Sequence, residues 1–343
     1  MISTEEKKEL QEFLGSKKNI LITTHTNPDG DAIGSSLAML RYLSKKGHHV
    51  KAMVPNKFPG FLAWLPGTSE LMIYENEAKL VQKYLKEADL IFCLDYNALN
   101  RVGSAADVLV NSGVPKVLID HHIKPELESF KYAISNVGAS STGELIYDFI
   151  DLMGDTALID KEIAEAIYTG IVTDTGSFSF AANNPKTYQI TAELIDKGVD
   201  AQKIHRLIYD TFSENRLRLL GHAISERMVV LDDYKTSLIY LTKDDLKKYD
   251  YQIGDAEGIV NFPLMMEKIN MSILLSERDK QIRISFRSKG EFSVNDLARK
   301  YFKGGGHRNA AGGKTYLSME KTIDKIKTTL KEYKEQLDYK LSY

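Results

Sequence analysis

NILITTHTNPDGDAIGSS, residues 19–36, runs from apolar and β-branched residues straight into His25, Asp29 and Asp31. Ile20, Leu21, Ile22, Thr23 and Thr24 end abruptly at the histidine, as a buried strand does when it delivers a polar side chain to the rim of a sheet. Pro28 and Gly30 predict a turn, in which Asp29 and Asp31 need not face the same way. Each can therefore serve a different metal ion, with His25 joining one of them. Gly34, Ser35 and Ser36 then open a helix that lays Leu37, Leu40 and Leu43 on the sheet and stops at Gly47. Its N-terminus faces the loop and favours anionic ligands there. Alone, the stretch suits an Asx-rich turn beside a surface histidine equally well, and the rest of the chain decides between the two.

The pattern recurs. The apolar run Leu90–Leu94 ends on Asp95, and residues 114–119 end on Asp120, His121 and His122. With HHVKAMV at 48–54 as a further strand and helices at 3–14, 34–46 and 77–86, strand and helix alternate. That alternation predicts a parallel sheet with right-handed crossovers, and ligands bind such sheets beyond the carboxyl ends of the strands. Three strands would bring His25, Asp95 and Asp120 to one rim. Helices follow at 140–151 and 160–172, the latter leading into Thr173, Asp174, Thr175 and Gly176, and then at 185–197, 201–211 and 213–228. Residues 56–74 read as loop, with Trp64 as a packing residue.

From Met228 the strands shorten: TSLIYLT, NMSILLSE and QIRISFRS, the last two joined by a turn around Arg278, Asp279 and Lys280 that predicts a hairpin. A helix over 292–302 runs into Gly304, Gly305, Gly306 and His307. Ile323, Ile326, Leu330, Tyr333 and Leu337 form one face of a final helix. The expectation is an α/β chain: an N-terminal parallel-sheet domain over 1–197, a helical connector over 198–228 and a smaller α/β domain over 229–343.

At 343 residues, two cores are expected. A hydrophobic share of 43% with 27% charged residues describes a folded chain and excludes a disordered one. The net charge of −2 argues against a broad basic face for long duplex nucleic acid, whereas a short ligand needs only local cations. The single cysteine, Cys93 in DLIFCLD, cannot form an internal disulfide and reads as an inert buried thiol in a reducing compartment. No apolar run approaches the ~20 residues of a membrane span, and MISTEEKKEL lacks the features of a signal peptide. A cytoplasmic protein without a membrane partner is expected.

His25, Asp29, Asp31, Asp95, His121 and Asp174 each stand at or just beyond the end of an apolar element. Four carboxylates gathered alone would repel one another. Two divalent cations match their charge and still attract a phosphate oxygen, and one bridging carboxylate, for which Asp95 is the candidate, holds such ions roughly 3.5–4 Å apart. Mixed imidazole and carboxylate donors suit Mn²⁺, with Mg²⁺ or Co²⁺ as substitutes, and the lone buried cysteine disfavours structural zinc. In the glycine run the backbone can approach a phosphate or base closely, with His307 and Arg287 as added donors.

ITTHTNPDGDAIGS, Leu94-Asp95, IDHH at Ile119 to His122 and TDTGSF at Thr173 to Phe178 resemble, in order, the four motifs of the DHH phosphoesterase superfamily. GGGH at 304–307, preceded by SFRSKG and followed by AAGG, resembles the DHH-associated C-terminal domain. The combination is most similar to the bacterial nanoRNase/pAp phosphatase family, which degrades very short RNAs to mononucleotides and dephosphorylates adenosine 3′,5′-bisphosphate. The resemblance implies that His25, Asp29, Asp95 and Asp174 hold one ion and Asp31, Asp95 and His121 the other. It further implies His122 on the scissile phosphate, Asp120 orienting the histidines, and Arg101, Ser140 and Ser141 along the phosphate path. Which histidine of the pair binds metal stays open. Homodimerisation is a family-level expectation. Hydrolysis of cyclic or linear di-AMP shares these motifs. A manganese pyrophosphatase lacks the GGGH pattern, a long-strand exonuclease would carry an extra nucleic-acid-binding domain, and a non-catalytic nucleotide or RNA sensor would be favoured by loss of cage residues, all six of which are present.

Overall fold

The computed structural model describes residues 2–180, 182–278 and 280–340. Helix α1 (Thr4–Phe13), closed at its start by a Ser3–Glu6 capping box, leads into β1 (Asn19–Thr23), which is buried from Ile20 onward. The next helix, α2, spans Gly30–Lys45 and so begins four residues before the expected Gly34. The reason is Asp29, whose Oδ1 accepts the amides of Asp31 and Ala32 at 3.1 Å each and caps the helix one turn early. Asp31 is thereby a helical residue and not part of a turn.

The chain continues through β2 (His49–Val54), β3 (Met72–Ile73), α3 (Tyr74–Glu87), β4 (Leu90–Leu94), α4 (Ala106–Val110), β5 (Lys116–Asp120) and β6 (Tyr132–Ser135). These strands form one sheet in the order β3-β2-β1-β4-β5-β6, with every pair parallel. Strands β3 and β6 were not expected. β3 is two residues long, inside a stretch read as loop, and β6 follows a histidine-rich turn with no apolar run to announce it. Alternate strand residues enter two layers: Ile20, Ile22, Phe92 and Leu94 face α2 and the later helix Lys161–Asp174, while Leu21, Met53, Ile91 and Cys93 face the side of α3. Both faces are covered, as a parallel sheet requires. Trp64 packs against the first of these layers.

Helices α5 (Thr142–Leu152), α6 (Lys161–Asp174), α7 (Pro185–Asp196) and α8 (Ala201–Tyr209) complete the first compact unit, Met1–Thr211. α2 and α6 lie so close that a Cβ on Gly34 would fall 2.4 Å from the Ala166 carbonyl oxygen, and one on Gly30 2.3 Å from Thr173 Cγ2.

The second unit, Phe212–Tyr343, holds α9 (Glu214–Ser225), β7 (Met228–Leu231), β8 (Thr236–Leu241), α10 (Lys243–Lys248), β9 (Met271–Arg278), β10 (Gln281–Ser288), α11 (Val294–Tyr301), β11 (Gly305–Gly306), β12 (Ala310–Thr315), α12 (Met319–Glu332) and α13 (Lys334–Leu337). Its sheet order is β11-β12-β10-β9-β8-β7, antiparallel except for the parallel β8–β9 pair. The expected hairpin is β9–β10, with Arg278 opposite Gln281; Asp279 of its turn lies outside the described residues. Leu275, Ile284 and Phe286 pack with Leu297, Ile326, Leu330 and Leu337, so the final helical face covers its own sheet. Among the described residues, no helix is long and apolar enough to cross a membrane.

Replacing Gly34 with Ala should force α2 and α6 apart. We expect a loss of about 2 kcal/mol, the usual cost of overpacking, read as a lower urea midpoint at unchanged slope.

Candidate metal centre

The sheet order reverses between β1 and β4: the chain moves outward from β1 to β2 and β3, then returns to β4 on the opposite side. That reversal opens a crevice beyond the strand ends. The register pairs Thr23 with Cys93 and Leu94 with Ile119, so the next residues at the rim are His25, Asp95 and Asp120, level with one another. Asp95 leaves the sheet with φ of 63°, a left-handed conformation that aspartate tolerates better than most residues and that clusters at functional sites.

Asp95, 2% exposed, lies at the centre. Its Oδ2 is 3.2 Å from His25 Nε2, and that same nitrogen is 3.8 Å from Asp29 Oδ2. Its Oδ1 accepts the Thr142 hydroxyl at 2.9 Å and lies 3.7 Å from His121 Nε2. His121 Nε2 in turn is 3.8 Å from Asp31 Oδ2 and 3.2 Å from Asp174 Oδ2. The donor atoms thus group as His25–Asp29–Asp95 and as Asp31–Asp95–His121, with Asp95 common to both and one of its oxygens turned to each. Asp174 lies against His121, on the side of the second group, whereas the expected partition set it with the first.

The histidines are oriented from behind. Nδ1 of His25 meets the Thr26 carbonyl at 2.9 Å, and Nδ1 of His121 meets that of Ala139 at 3.3 Å, which turns each Nε2 toward carboxylates. His122 instead engages Asp120 Oδ1 through Nδ1 at 2.7 Å. This is the arrangement that fixes tautomers in metal sites; Nε2 of His121 faces Asp31, Asp95 and Asp174, while His122 groups with Asp95 and Asp120.

Asp31 is 1% exposed and docks on the N-terminus of α5: its oxygens accept the amides of Thr142 at 2.6 Å and Gly143 at 2.8 Å, and the Ser35 hydroxyl at 3.2 Å. Helix N-termini favour negative charge. Ser140 and Ser141, expected along a phosphate path, are fully buried. Ser141 caps α5 by accepting the Glu144 amide, and Ser140 donates its hydroxyl to Glu144 Oε2 at 2.6 Å. The Ser141 hydroxyl thus caps α5 and the Ser140 hydroxyl holds the Glu144 carboxylate, and both steady the helix end on which Asp31 is seated. Arg101 is half-buried, and its carbonyl holds the Thr26 amide at 2.9 Å. Its guanidinium is near enough to depress the basicity of His25 and His122, behind the larger effect of burial.

The charge balance is unfavourable as it stands. Burial pushes the Asp31 carboxyl up to about 7, with Asp29 adding to the effect. Burial and then Asp31, Asp29 and Asp174 hold Asp95 well above the usual carboxylate range. Burial raises Asp120 to about 6 and lowers His25, His121 and His122, so the imidazoles stay neutral and offer no compensation. Asp120 Oδ2 is buried with no hydrogen-bond partner among the described residues, and Asp174 ends α6, where the helix dipole disfavours a carboxylate. Divalent cations at the cage would offset the repulsion among Asp29, Asp31, Asp95 and Asp174, and the oxygen-rich donor set with imidazole suits Mn²⁺ or Mg²⁺.

In the second unit the glycine run is a strand. Gly305 and Gly306 pair with Gly312 and Ala311, and a Cβ on Gly304 would sit 1.9 Å from the Gly312 carbonyl oxygen. Close approach to β12 therefore requires Gly304 and Gly306, whose added Cβ atoms would meet the Gly312 and Ala310 carbonyl oxygens, whereas a Cβ on Gly305 would meet only ordinary contacts. Arg287 stands opposite Ala310, whose carbonyl accepts the His307 amide at 2.7 Å, which brings Arg287 and His307 to one end of this sheet. Thr142, Gly143 and Glu144 had no assigned part in the sequence reading, although the adjacent Ser140 and Ser141 did. Nothing in the sequence marked Gly170, where a Cβ would fall 2.5 Å from Asp31 Oδ1.

A family model described as the DHH family, N-terminal domain, matches residues 19–171, and a DHHA1 domain model matches residues 236–336. The bifunctional oligoribonuclease and PAP phosphatase NrnA of Thermus thermophilus is 31% identical over 316 residues, 91% of this chain and 89% of that protein. The chain belongs to the DHH family. Among solved structures, an exopolyphosphatase-related protein from Bacteroides fragilis matches with 42% identity and a TM-score of 0.92, with 99% of each chain covered. The cyclic-di-AMP phosphodiesterase GdpP of Bacillus subtilis is 25% identical over 340 residues, 95% of this chain and 49% of that protein. The cage described above lies in the DHH domain and its immediate continuation, and Arg287 and the glycine run lie in the DHHA1 domain.

Removing charge from the centre of the cage gives opposite effects with and without metal. With a chelator present, Asp95→Asn should raise the thermal midpoint above wild type. With Mn²⁺ added, wild type should gain stability by mass action and overtake the variant. A variant that stays below wild type in both conditions would contradict the repulsion described here.

Proposed function

We propose that the protein is a two-metal phosphoesterase that hydrolyses short oligoribonucleotides to mononucleotides and removes the 3′-phosphate of adenosine 3′,5′-bisphosphate. The observation that carries this reading is Asp95, whose two oxygens face two separate donor groups. In this reading His25, Asp29 and Asp95 hold one ion and Asp31, Asp95 and His121 the other, with Asp174 beside His121. When bound, two such ions supply a water-derived nucleophile at neutral pH and neutralise charge on the phosphoryl oxygens.

The chain's own residues do the remaining work. Asp120 fixes the His122 ring by accepting from Nδ1, which leaves the other ring nitrogen, Nε2, to accept a proton and, once protonated, to donate to a phosphoryl oxygen. Arg101 adds positive charge beside the same ring. Thr142 holds one oxygen of Asp95 while its amide holds Asp31, so a single helix end keeps both carboxylates in register. Residues 1–197 carry the chemistry in this scheme, 198–228 connect, and 229–343 bind the distal part of a short substrate through Arg287, His307 and the glycine strand. The name of the Thermus relative, an oligoribonuclease and PAP phosphatase, supports this substrate class.

A second reading, phosphodiesterase action on cyclic or linear di-AMP, is favoured by the GdpP relative. One product assay separates them. With Mn²⁺, we expect mononucleotides from a two-nucleotide RNA and AMP from the bisphosphate faster than any product from cyclic di-AMP, and preference for the cyclic substrate would select the second reading. Asp95→Ala should lower turnover by more than about 100-fold, beyond what loss of a supporting residue costs. Near-normal activity of the folded variant would refute the bridge. Arg287→Ala should raise KM more than it lowers kcat, and equal falls in kcat and kcat/KM would instead assign Arg287 to the transition state.

A further inference from the structure

Beyond Asp174 the chain exposes two aromatic rings, Phe180 and Tyr188, while Phe178 packs inward on Tyr168 and the core. Just past Asp174 the backbone turns through three left-handed residues, Gly176, Ser177 and Phe178, with φ of 53°, 58° and 64°. Such a conformation in a serine and a phenylalanine is costly. Its result is that Phe180 comes back over Gly176, where a Cβ would lie 2.8 Å from the ring, and stays 52% exposed. Phe178 is half-buried and stacks on Tyr188, with ring centroids 5.5 Å apart and 26° between planes. Tyr188 is itself 50% exposed. It lies one turn into α7 from Pro185, on the same face.

Pro185 also lines a cavity of about 530 Å³, together with Val137, Gly138, Ala139, Asn183 and Asn184. Ala139 ties this cavity to the cage, because its carbonyl is the acceptor for His121 Nδ1. Phe180 lies six residues after the cage carboxylate Asp174, and Tyr188 lies in α7, whose first residue, Pro185, lines the cavity. Phe180 and Tyr188 each leave about half of their surface to solvent, and such rings are flat, rigid and apolar on their faces.

We propose that Phe180 and the Phe178–Tyr188 stack form a platform on which a nucleobase of the substrate lies, next to the phosphate held at the cage. The proposal rests on the reading of the protein as a short-RNA phosphoesterase and adds how a base is recognised. Stacking engages the face common to all four bases, so the platform gives affinity without sequence preference. The exposed asparagine at the cavity, Asn183, offers an amide to a base edge and is the place where any preference among bases would arise.

The test compares wild type with Phe180→Ala, Tyr188→Ala and the double variant, on a two-nucleotide RNA and on its two analogues lacking either base. The double variant should raise KM for the intact dinucleotide roughly tenfold, the scale of one lost stacking contact, with kcat within about twofold. On the analogue that lacks the stacked base, variant and wild type should have the same KM. Tyr188→Phe and Phe180→Trp should keep the wild-type KM. Unchanged KM in the double variant, or an equal loss on all three substrates, overturns the platform while leaving the enzyme reading intact. Wild type that hydrolyses none of the three overturns the enzyme reading instead. In that case calorimetric titration with the same dinucleotides decides the platform: a base-dependent Kd that the double variant weakens supports it, and a Kd indifferent to the bases or to the variant rejects it.

Discussion

Several carboxylates are buried together, and the fold around them is shaped by what that demands. Asp31 shows the constraint most clearly. Its side chain lies where α2, α5 and α6 converge, between Gly143 and Gly170, and a Cβ on either glycine would press on an Asp31 oxygen or on the backbone beside it. The glycines let the helices close, and closure brings the two amides at the start of α5 onto the carboxylate. Ser141 and Glu144 fix that helix end from the other side, and Thr187 reaches across from α7 to bond Glu144. Charge, helix packing and backbone geometry are here one arrangement, and none of the three is adjustable without the others.

Asp95 answers the same demand differently. It stands at the strand-order reversal, where the polar rim of the sheet is widest, and leaves the strand in a left-handed conformation. Its two oxygens consequently face opposite sets of donors, while Thr142 anchors one of them. A carboxylate on a flexible loop would swing to relieve repulsion. One held by strand register, a fixed turn and a threonine hydroxyl cannot, and the repulsion is kept for a cation to neutralise.

Much of this was legible in the residues. Strand runs ending on His25, Asp95 and Asp120 predicted both the parallel sheet and the rim that gathers them, because the period of burial and the abrupt polar ending are local signals. The early start of α2 was not legible: PDGD is a good turn sequence, and only the capping by Asp29 makes it a helix start. β3 and β6 owe their pairing to neighbours already in place, not to their own two or four residues. Ser140 and Ser141 carry hydroxyls that suit a phosphate, and burial alone shows that they serve α5. Gly170 acts through its missing side chain, which leaves no trace in a pattern of donors. The glycine run is a mixed case: Gly304 and Gly306 are demanded by close approach to β12, while Gly305 is not.

Cys93 lies in β4, two residues before Asp95, fully buried, with its thiol pushed up to about 11 by that burial. Thiolates and not thiols react with alkylating reagents, so the native protein is chemically silent toward them, and the only sulfhydryl in the chain is revealed when the central strand separates from its neighbours. The rate at which that thiol is labelled therefore counts openings of the strand that carries the cage's central carboxylate. The fold comes with an internal probe of its own local unfolding, and a cysteine added at the surface would be the sole site for a dye or spin label while the core stays closed.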